Sequence, residues 1–188
     1  PDPALVATLA AARDGLRERL GVRAPGLRLR LDPAVRAGEV ELRLWGVAVE
    51  WMTPTPATAA GLAAPLERAL ARHAAELVRT PAVQVALDEL GPSHAGLIRD
   101  VVPRVVALPA LVEVLRRLVA EGVSIRDLAA VLEGLALVPA TATRDAATLA
   151  EHVRGHLGRV ISGAVAARGT VEAWTVDPMI EEALRGAI

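Results

Sequence analysis

The sequence predicts an α+β, helix-rich fold, and three observations lead to that prediction. Two segments near the N-terminus alternate apolar and polar side chains, which is the pattern of half-buried strands. Apolar residues recur at helical spacing through most of the remaining chain. Near the C-terminus the pattern changes again, to a short strand between two helices. The chain is therefore expected to have a small α/β part, a central helical part and a C-terminal α+β part.

A helix is predicted at the start of the chain. Asp2 before Pro3 is a helix start signal, and Gly21 is a typical helix end. The apolar positions between them are spaced three or four residues apart: Leu5, Leu9, Ala12, Leu16 and Leu20.

Two strands are predicted after this helix, over residues 27–32 and 39–50, because both segments alternate strictly. In the second strand, Val40, Leu42 and Leu44 share the apolar face. Pairing of the two strands would place the arginines of the first, Arg28 and Arg30, near glutamates of the second on the solvent face.

Residues 51–61, rich in threonine and proline, separate this part from a helical region that continues to about Leu137. Thr80, Ser93 and the pair Ser124 and Asp127 are predicted to cap helices. Pro103 predicts a kink or a helix end. The apolar stripes of the five predicted helices are Leu62, Leu66, Leu70, His73 and Leu77; Val83, Ala86, Leu87 and Leu90; Leu97, Val101 and Val105; Leu111, Leu115 and Leu118; and Leu128, Val131, Leu132 and Leu135.

The last fifty residues predict mixed structure. A helix carries apolar residues from Leu149 to Ile161, a short strand covers residues 171–176, and Asp177 with Pro178 starts a final helix.

Composition excludes several classes of function. Hydrophobic residues make up 53% of the chain and the mean hydropathy is +0.38, but charges or prolines interrupt every apolar run, so a soluble chain is expected. A net charge of −1 gives no field that would attract nucleic acid. Without cysteine there are no disulfides or thiolate metal sites. Without phenylalanine or tyrosine, the core must be packed from aliphatic side chains and three tryptophans.

No catalytic, metal-binding or cofactor-binding residue is predicted. His152 and His156 have the spacing of two zinc ligands on one helix face, but a third ligand is missing and Arg154 between them would repel a cation. His73 is expected at the edge of the core, bonded to the backbone. Ser93 and Ser124 are interpreted as helix caps rather than nucleophiles.

The segment AEGVSIRDLAAVLEGLA, residues 120–136, resembles the most distinctive stretch of the cytoplasmic domain of the flagellar and type III secretion export-gate family, the FlhA/SctV group or FHIPEP family. Other segments resemble the same domain in the same order: 16–32, 41–50, 72–90, 97–119, 144–161 and 174–184. The resemblance thus covers nearly the whole chain.

The resemblance implies three subdomains: an α/β subdomain at 1–78, a helical ring-forming subdomain at 79–137 and an α+β subdomain at 138–188. It implies a non-enzymatic docking platform for protein transport, in flagellum biogenesis or virulence, at the cytoplasmic face of the bacterial inner membrane. The implied partners are other copies in a ninefold ring, export substrates with their chaperones, and the export ATPase complex. The membrane export channel would be reached through an N-terminal half that has no counterpart in this chain.

Another departure from the family concerns the first subdomain. In the family that this chain resembles, a small inserted subdomain follows the strand that contains GVAV, and it is expected to be missing here near residues 50–58. Chaperone docking is therefore expected to be weak or relocated.

The candidate subunit-interface residues are Arg99, Arg104, Glu121, Arg126 and Asp127. For Arg126 and Asp127 two interpretations stay open: first-turn capping by Asp127 with an exposed Arg126, or a subunit seam at which Arg126 lies near Glu121. The apolar residues between Val101 and Leu115 exceed a single stripe, which suggests a second partner surface. The alternative function is a helical, winged-helix-like nucleic-acid-binding module, which the mixed charge of the helices disfavours.

Overall fold

The structure is a computed structural model that describes residues 2–166, 169–170 and 175–187. It forms two compact units, Pro1–Leu157 and Gly158–Ile188. The elements in chain order are α1 (Pro3–Leu20), β1 (Val40–Leu44), β2 (Val47–Met52), α2 (Ala59–Arg72), α3 (Ala74–Leu77), α4 (Thr80–Val101), α5 (Leu108–Ala120), α6 (Leu128–Ala136), α7 (Ala146–His156), α8 (Gly158–Val165) and α9 (Pro178–Ala187). The predicted helix-rich α+β class is confirmed. Of the described helices, none combines the length and the apolarity that crossing a bilayer requires.

The predicted N-terminal helix is confirmed as α1. Asp2 accepts a hydrogen bond from the Ala4 amide at 3.0 Å, which satisfies one of the free amides of the first turn. Gly21 ends the helix in the left-handed region at φ +73°, and its amide donates to the Arg17 carbonyl. The apolar stripe of α1 packs against α2.

The segment predicted as one strand over 39–50 is instead an antiparallel hairpin of β1 and β2. Trp45 and Gly46, at φ 55° and 88°, form its two-residue turn, since the hairpin turn that matches strand twist needs positive φ at both positions. The predicted apolar face of β1 is confirmed, with Leu42 and Leu44 buried.

The strand predicted over 27–32 is wrong, because this segment is irregular and Leu31 is fully exposed at 102%. The hairpin explains the difference, since β1 pairs with the later strand β2 rather than with residues 27–32. Arg28 and Arg30 therefore do not lie across a strand pair from the glutamates of β1. Glu41 instead pairs with Arg43 of its own strand.

Two predicted caps are also wrong. Arg79, in an extended conformation, is the residue that precedes α4, so Thr80 already lies inside the helix. Ser93 does not cap a helix, because the kink that divides α4 falls one residue later, at His94, where φ and ψ are −133° and 31°. Pro92, two residues earlier, cannot donate to the helix ladder. The Ser93 hydroxyl instead donates to the Leu90 carbonyl at 3.1 Å. The helix end predicted near Pro103 is confirmed, because α4 stops at Val101.

The centre of the larger unit is α5, which packs against α3, α4 and α7. Six of its residues are buried, on more than one face: Leu111, Val112, Val114, Leu115, Leu118 and Val119. Val101 and Val106 are buried as well. Most of the apolar surplus that suggested a second partner surface is thus covered within the chain, whereas Val102, Val105 and Leu108 stay partly exposed. The second partner surface stays a prediction.

The predicted aliphatic core fills the larger unit, but the expectation that the tryptophans also pack in it is wrong for Trp45 and Trp51, which are 58% and 56% exposed. The largest fully buried side chains are all leucine or valine: Leu70, Leu111, Leu115, Leu118, Leu132, Leu135, Leu149, Val101, Val114, Val131 and Val153. In the described part of the chain no polar or charged residue is buried. At the level of single atoms, the Arg13 Nε is buried there without a hydrogen-bond partner.

The smaller unit contains α8 and α9. The final helix begins at Pro178 as predicted, and Asp177 accepts a hydrogen bond from the Met179 amide at 2.9 Å. Glu181 pairs with Arg185 one turn later at 2.6 Å. The strand predicted over 171–176 falls largely on residues 171–174, which lie outside the described residues.

Candidate interaction surface

The loop of residues 122–127 joins α5 to α6 and carries two of the five candidate interface residues. Gly122, at φ 77°, ends α5, and the Val123 amide returns to the Leu118 carbonyl at 2.8 Å. Asp127 caps α6 by accepting from the Ala130 amide at 3.0 Å, so its predicted capping role is confirmed. Ser124 accepts from the Arg126 amide at 3.3 Å and acts within the loop.

Arg126 is exposed beside this cap. Among the described residues its guanidinium has neither an ion-pair partner nor a hydrogen-bond acceptor. An exposed guanidinium with a free planar fork suits a carboxylate that another molecule supplies.

Glu121 is engaged elsewhere. Arg154 of α7 lies between Glu121 at the end of α5 and Glu151, and it pairs with both carboxylates. The structure thus gives Glu121 a partner other than Arg126. All three side chains are partly exposed, so solvent screens these pairs and they contribute little to stability.

The other two candidates lie at the end of α4 and in the turn after it. Arg104 pairs with Asp100 one helical turn earlier at 3.1 Å, and both side chains are well exposed. The Arg104 carbonyl accepts from the Arg144 guanidinium at 2.7 Å, which ties this turn to the segment before α7. Arg99 is exposed and has no ion pair within the described part of the chain.

A groove of about 750 Å³ borders the 122–127 loop. It lies between the end of α1, α4 and the start of α6. Its apolar lining includes Leu77, Val83, Leu90, Leu115 and Leu128. Its charged rim carries both signs: Asp14, Arg17, Glu18, Arg23, Glu89, His94, Arg126 and Asp127. No pattern in the sequence predicts this groove, because its walls come from segments far apart in the chain.

One ion pair joins two walls of the groove. Arg23 follows α1 and Glu89 lies on α4. The two terminal nitrogens of the Arg23 guanidinium donate to the two carboxylate oxygens of Glu89, and Nη1 lies 2.7 Å from Oε1. Hydrogen bonding to Arg23 lowers the pKa of the Glu89 carboxyl, and the same contact raises the pKa of Arg23. The two residues are 66 positions apart in sequence, so no local pattern could predict their contact.

The histidines are held by protein groups. His152 Nδ1 lies 2.9 Å from the Thr148 carbonyl, and His156 Nε2 lies 3.7 Å from a Glu133 oxygen. Among the described residues, no group of three or more potential ligands could hold a metal ion.

His73 is half-buried at the core edge, as predicted, but its partners are carboxylates rather than the backbone. Its Nδ1 lies 2.7 Å from Glu76, and its Nε2 lies 3.5 Å from Glu50. The break between α2 and α3 falls at His73, and the turn that follows brings Glu76 to the ring.

Ser93 Oγ and His94 Nδ1 lie 2.8 Å apart, and the Leu90 carbonyl is a second acceptor 3.1 Å from the same hydroxyl. The serine hydroxyl has one proton and can donate it to only one of the two. When it donates to Leu90, the imidazole can only donate to the serine oxygen, which is the reverse of what a general base does.

Comparison with known proteins gives a family and a fold. The sequence profile of the FHIPEP family matches residues 55–188. The chain is 33% identical over 123 residues to Protein MxiA of Shigella flexneri, a match that covers 65% of this chain and 18% of MxiA. The chain therefore spans less than a fifth of the length of that relative.

Solved structures match over almost the whole chain. Nonameric EPEC SctV-C superposes with a TM-score of 0.84 at 19% identity, covering 99% of this chain and 71% of that one. A chain in the complex of Chlamydia pneumoniae CdsV and CdsO gives a TM-score of 0.84 at 22% identity, covering 98% and 67%. The family match includes every helix from α2 to α9, and the chain therefore belongs to the FHIPEP family, the export-gate family that its motifs resemble.

Proposed function

We propose that this chain is the cytoplasmic docking platform of a type III protein export gate and that it works without catalysis. The observation that carries the proposal is the family match over residues 55–188. The apolar interior and the charged, open groove favour a surface that binds proteins. The full-length protein would be anchored in the bacterial inner membrane and would present this domain to the cytoplasm.

Assembly into a ring is part of the proposal. The similar SctV-C is nonameric, and a head-to-tail contact that repeats around an axis closes a ring. Arg126 and Arg99 suit a contact between copies, because both are exposed and neither has an ion pair among the described residues. Arg104, Glu121 and Asp127 complete the proposed seam, and each already has a partner in its own chain. The proposed subdomain division at 1–78, 79–137 and 138–188 assigns this seam to the helical subdomain.

The proposed partners are other proteins of the export apparatus. The solved complex of CdsV with CdsO supports docking of a second protein on this fold. For this chain we propose contacts with the export ATPase complex and with export substrates and their chaperones. The family's insert is proposed to be absent between β2 and α2, where only residues 53–58 intervene, so chaperones would dock elsewhere or weakly.

Charge reversal at Arg126 tests the ring. We expect a monomer in dilute solution that forms rings or arcs at high concentration. Arg126→Glu should weaken this association at least about tenfold, roughly 1.4 kcal/mol, because it replaces an attraction by a repulsion. The thermal midpoint should change little, since the side chain is exposed. Light scattering over a concentration series measures the association.

Arg68→Glu is the matched control. Arg68 is exposed on α2, outside the proposed seam, and the substitution makes the same change in net charge. It should leave the association unchanged. A closed dimer that is insensitive to Arg126→Glu, with twofold contacts through the first α/β subdomain, would contradict the ring.

A further inference from the structure

The end of α1 and the 122–127 loop touch backbone to backbone. The Ile125 amide donates to the Leu20 carbonyl at 2.9 Å. A Cβ added at Gly21 would lie 2.3 Å from the Arg126 amide nitrogen and 2.5 Å from its Cα. Since contacts below 3.0 Å do not occur for real Cβ atoms, only glycine allows this approach.

Gly21 meets a second requirement at the same position. Its φ of +73° lies in the left-handed region, which turns the chain away from the helix axis after the Gly21 amide has donated to the Arg17 carbonyl. Asparagine adopts this conformation several-fold more readily than other side chains, so the conformational requirement alone does not demand glycine. The close approach to Arg126 does demand it.

The contact determines where Arg126 and Asp127 lie. Both follow Ile125 directly, and Asp127 starts α6 as its cap. The Arg126 side chain lies on the groove wall, so a shift of the loop relative to α1 would displace its guanidinium and change the width of the groove.

We propose that Gly21 is a positioning residue that fixes the 122–127 loop on the end of α1 and so sets the place from which Arg126 reaches a neighbouring copy. The second half of this statement rests on the proposed function. The first half is independent of it.

A pair of asparagine variants separates packing from backbone strain. Gly21→Asn and Gly122→Asn both place asparagine at positive φ, +73° and +77°, but a Cβ at Gly122 meets nothing within 4 Å. Gly21→Asn should accelerate amide exchange at Ile125 about tenfold or more, since its hydrogen bond to Leu20 is disturbed. Gly122→Asn should leave this exchange rate unchanged. Nuclear magnetic resonance measures the rate, with the amide of buried Leu115 in α5 as the reference for global unfolding.

The association measured by light scattering gives the second result. Gly21→Asn should weaken it in the same direction as Arg126→Glu, whereas Gly122→Asn should not. If Ile125 exchanges at the same rate in both variants as in the unchanged protein, the positioning role of Gly21 is overturned. If exchange accelerates and association is unchanged, the positioning role stands and the seam assignment of Arg126 fails.

The unchanged protein provides a test that does not depend on whether Gly21→Asn folds. Its Ile125 amide, bonded to a backbone carbonyl, should exchange at least about tenfold more slowly than the Arg126 amide, which is bonded only to the Ser124 hydroxyl. Equal and fast exchange of the two amides would overturn the proposal.

Discussion

Single side chains help determine where helices begin in this chain, because they accept hydrogen bonds from the first turn. Among the described helix caps, Asp145 accepts the largest number of these bonds. One carboxylate oxygen accepts from the Ala147 and Thr148 amides at 2.9 and 3.0 Å, and the other accepts from the Thr148 hydroxyl at 2.7 Å. Hydrogen bonds favour the charged form of a carboxylate. They lower the pKa of Asp145, with the bond from the Thr148 hydroxyl as the largest cause.

A lowered pKa makes the stability of the fold depend on pH. Asp145 contributes stability that is fully present above the ordinary aspartate pKa of about 3.9 and is lost as the pH falls through the lower folded pKa. Asparagine still caps but carries no charge. The thermal midpoint of Asp145→Asn should therefore lie below that of the unchanged protein at pH 7, and the two should converge in acid.

Circular dichroism melts between pH 7 and pH 2 measure this difference. Asp14→Asn, which removes an exposed carboxylate from α1, is the control and should show no such convergence. A difference between Asp145→Asn and the unchanged protein that stays constant down to pH 2 would contradict the assigned role of the Asp145 charge.

Individual helices show how far periodicity predicts burial. In α6 the predicted stripe of Leu128, Val131, Leu132 and Leu135 is buried, and α7 packs over this helix. Leu135 is 0% exposed, whereas Leu137, directly after the helix, is 70% exposed. The two leucines therefore form a matched pair, with the same chemistry and opposite burial.

Leu135→Ala should lower the free energy of unfolding by about 2–5 kcal/mol, because it removes buried contacts and leaves a cavity. Leu137→Ala should change it by less than about 0.5 kcal/mol. Urea denaturation followed by circular dichroism compares the two variants. Equal losses would mean that α6 is not packed as described.

Strands and caps were predicted less well than helices, for a physical reason. Alternation over 27–32 indicates that one face of a strand could be buried there. A strand also needs a neighbouring strand to bond with, and β1 is already paired with β2. A cap depends on the backbone conformation at the helix start, and at α4 Arg79 occupies that position instead of Thr80. The groove depends on contacts such as Arg23 with Glu89, which only the folded chain brings together.

At the scale of the whole molecule, burial is confined to the larger unit. All buried hydrophobic residues of the described part lie between Ala12 and Leu157. Helix α7 belongs to this unit, because it packs against α5 and α6 and buries Leu149, Ala150 and Val153. The subdomain boundary at residue 137, which stays a prediction, falls before this helix.

Two truncations test where the cooperative unit ends. A chain that stops at Leu157 keeps every buried side chain named above, so its thermal midpoint should stay within a few degrees of that of the full chain. A chain that stops at Leu137 uncovers faces of α5 and α6 and should melt more than about 10 °C lower or fail to fold. Equal midpoints for the two truncations, measured by calorimetry, would instead support an independent helical subdomain that ends at residue 137.

The hairpin has a consequence for spectroscopy. Trp45 and Trp51, two of the three tryptophans, lie in its turn and on β2, both more than half exposed, and Trp45 stacks 4.2 Å from the Arg79 guanidinium. The buried core contains leucine, valine, alanine and a single methionine, none of which fluoresces. In a Trp174→Leu background, emission therefore reports the surroundings of the hairpin alone, while ellipticity at 222 nm follows the helices. One sample thus carries two optical probes that report different parts of the same fold.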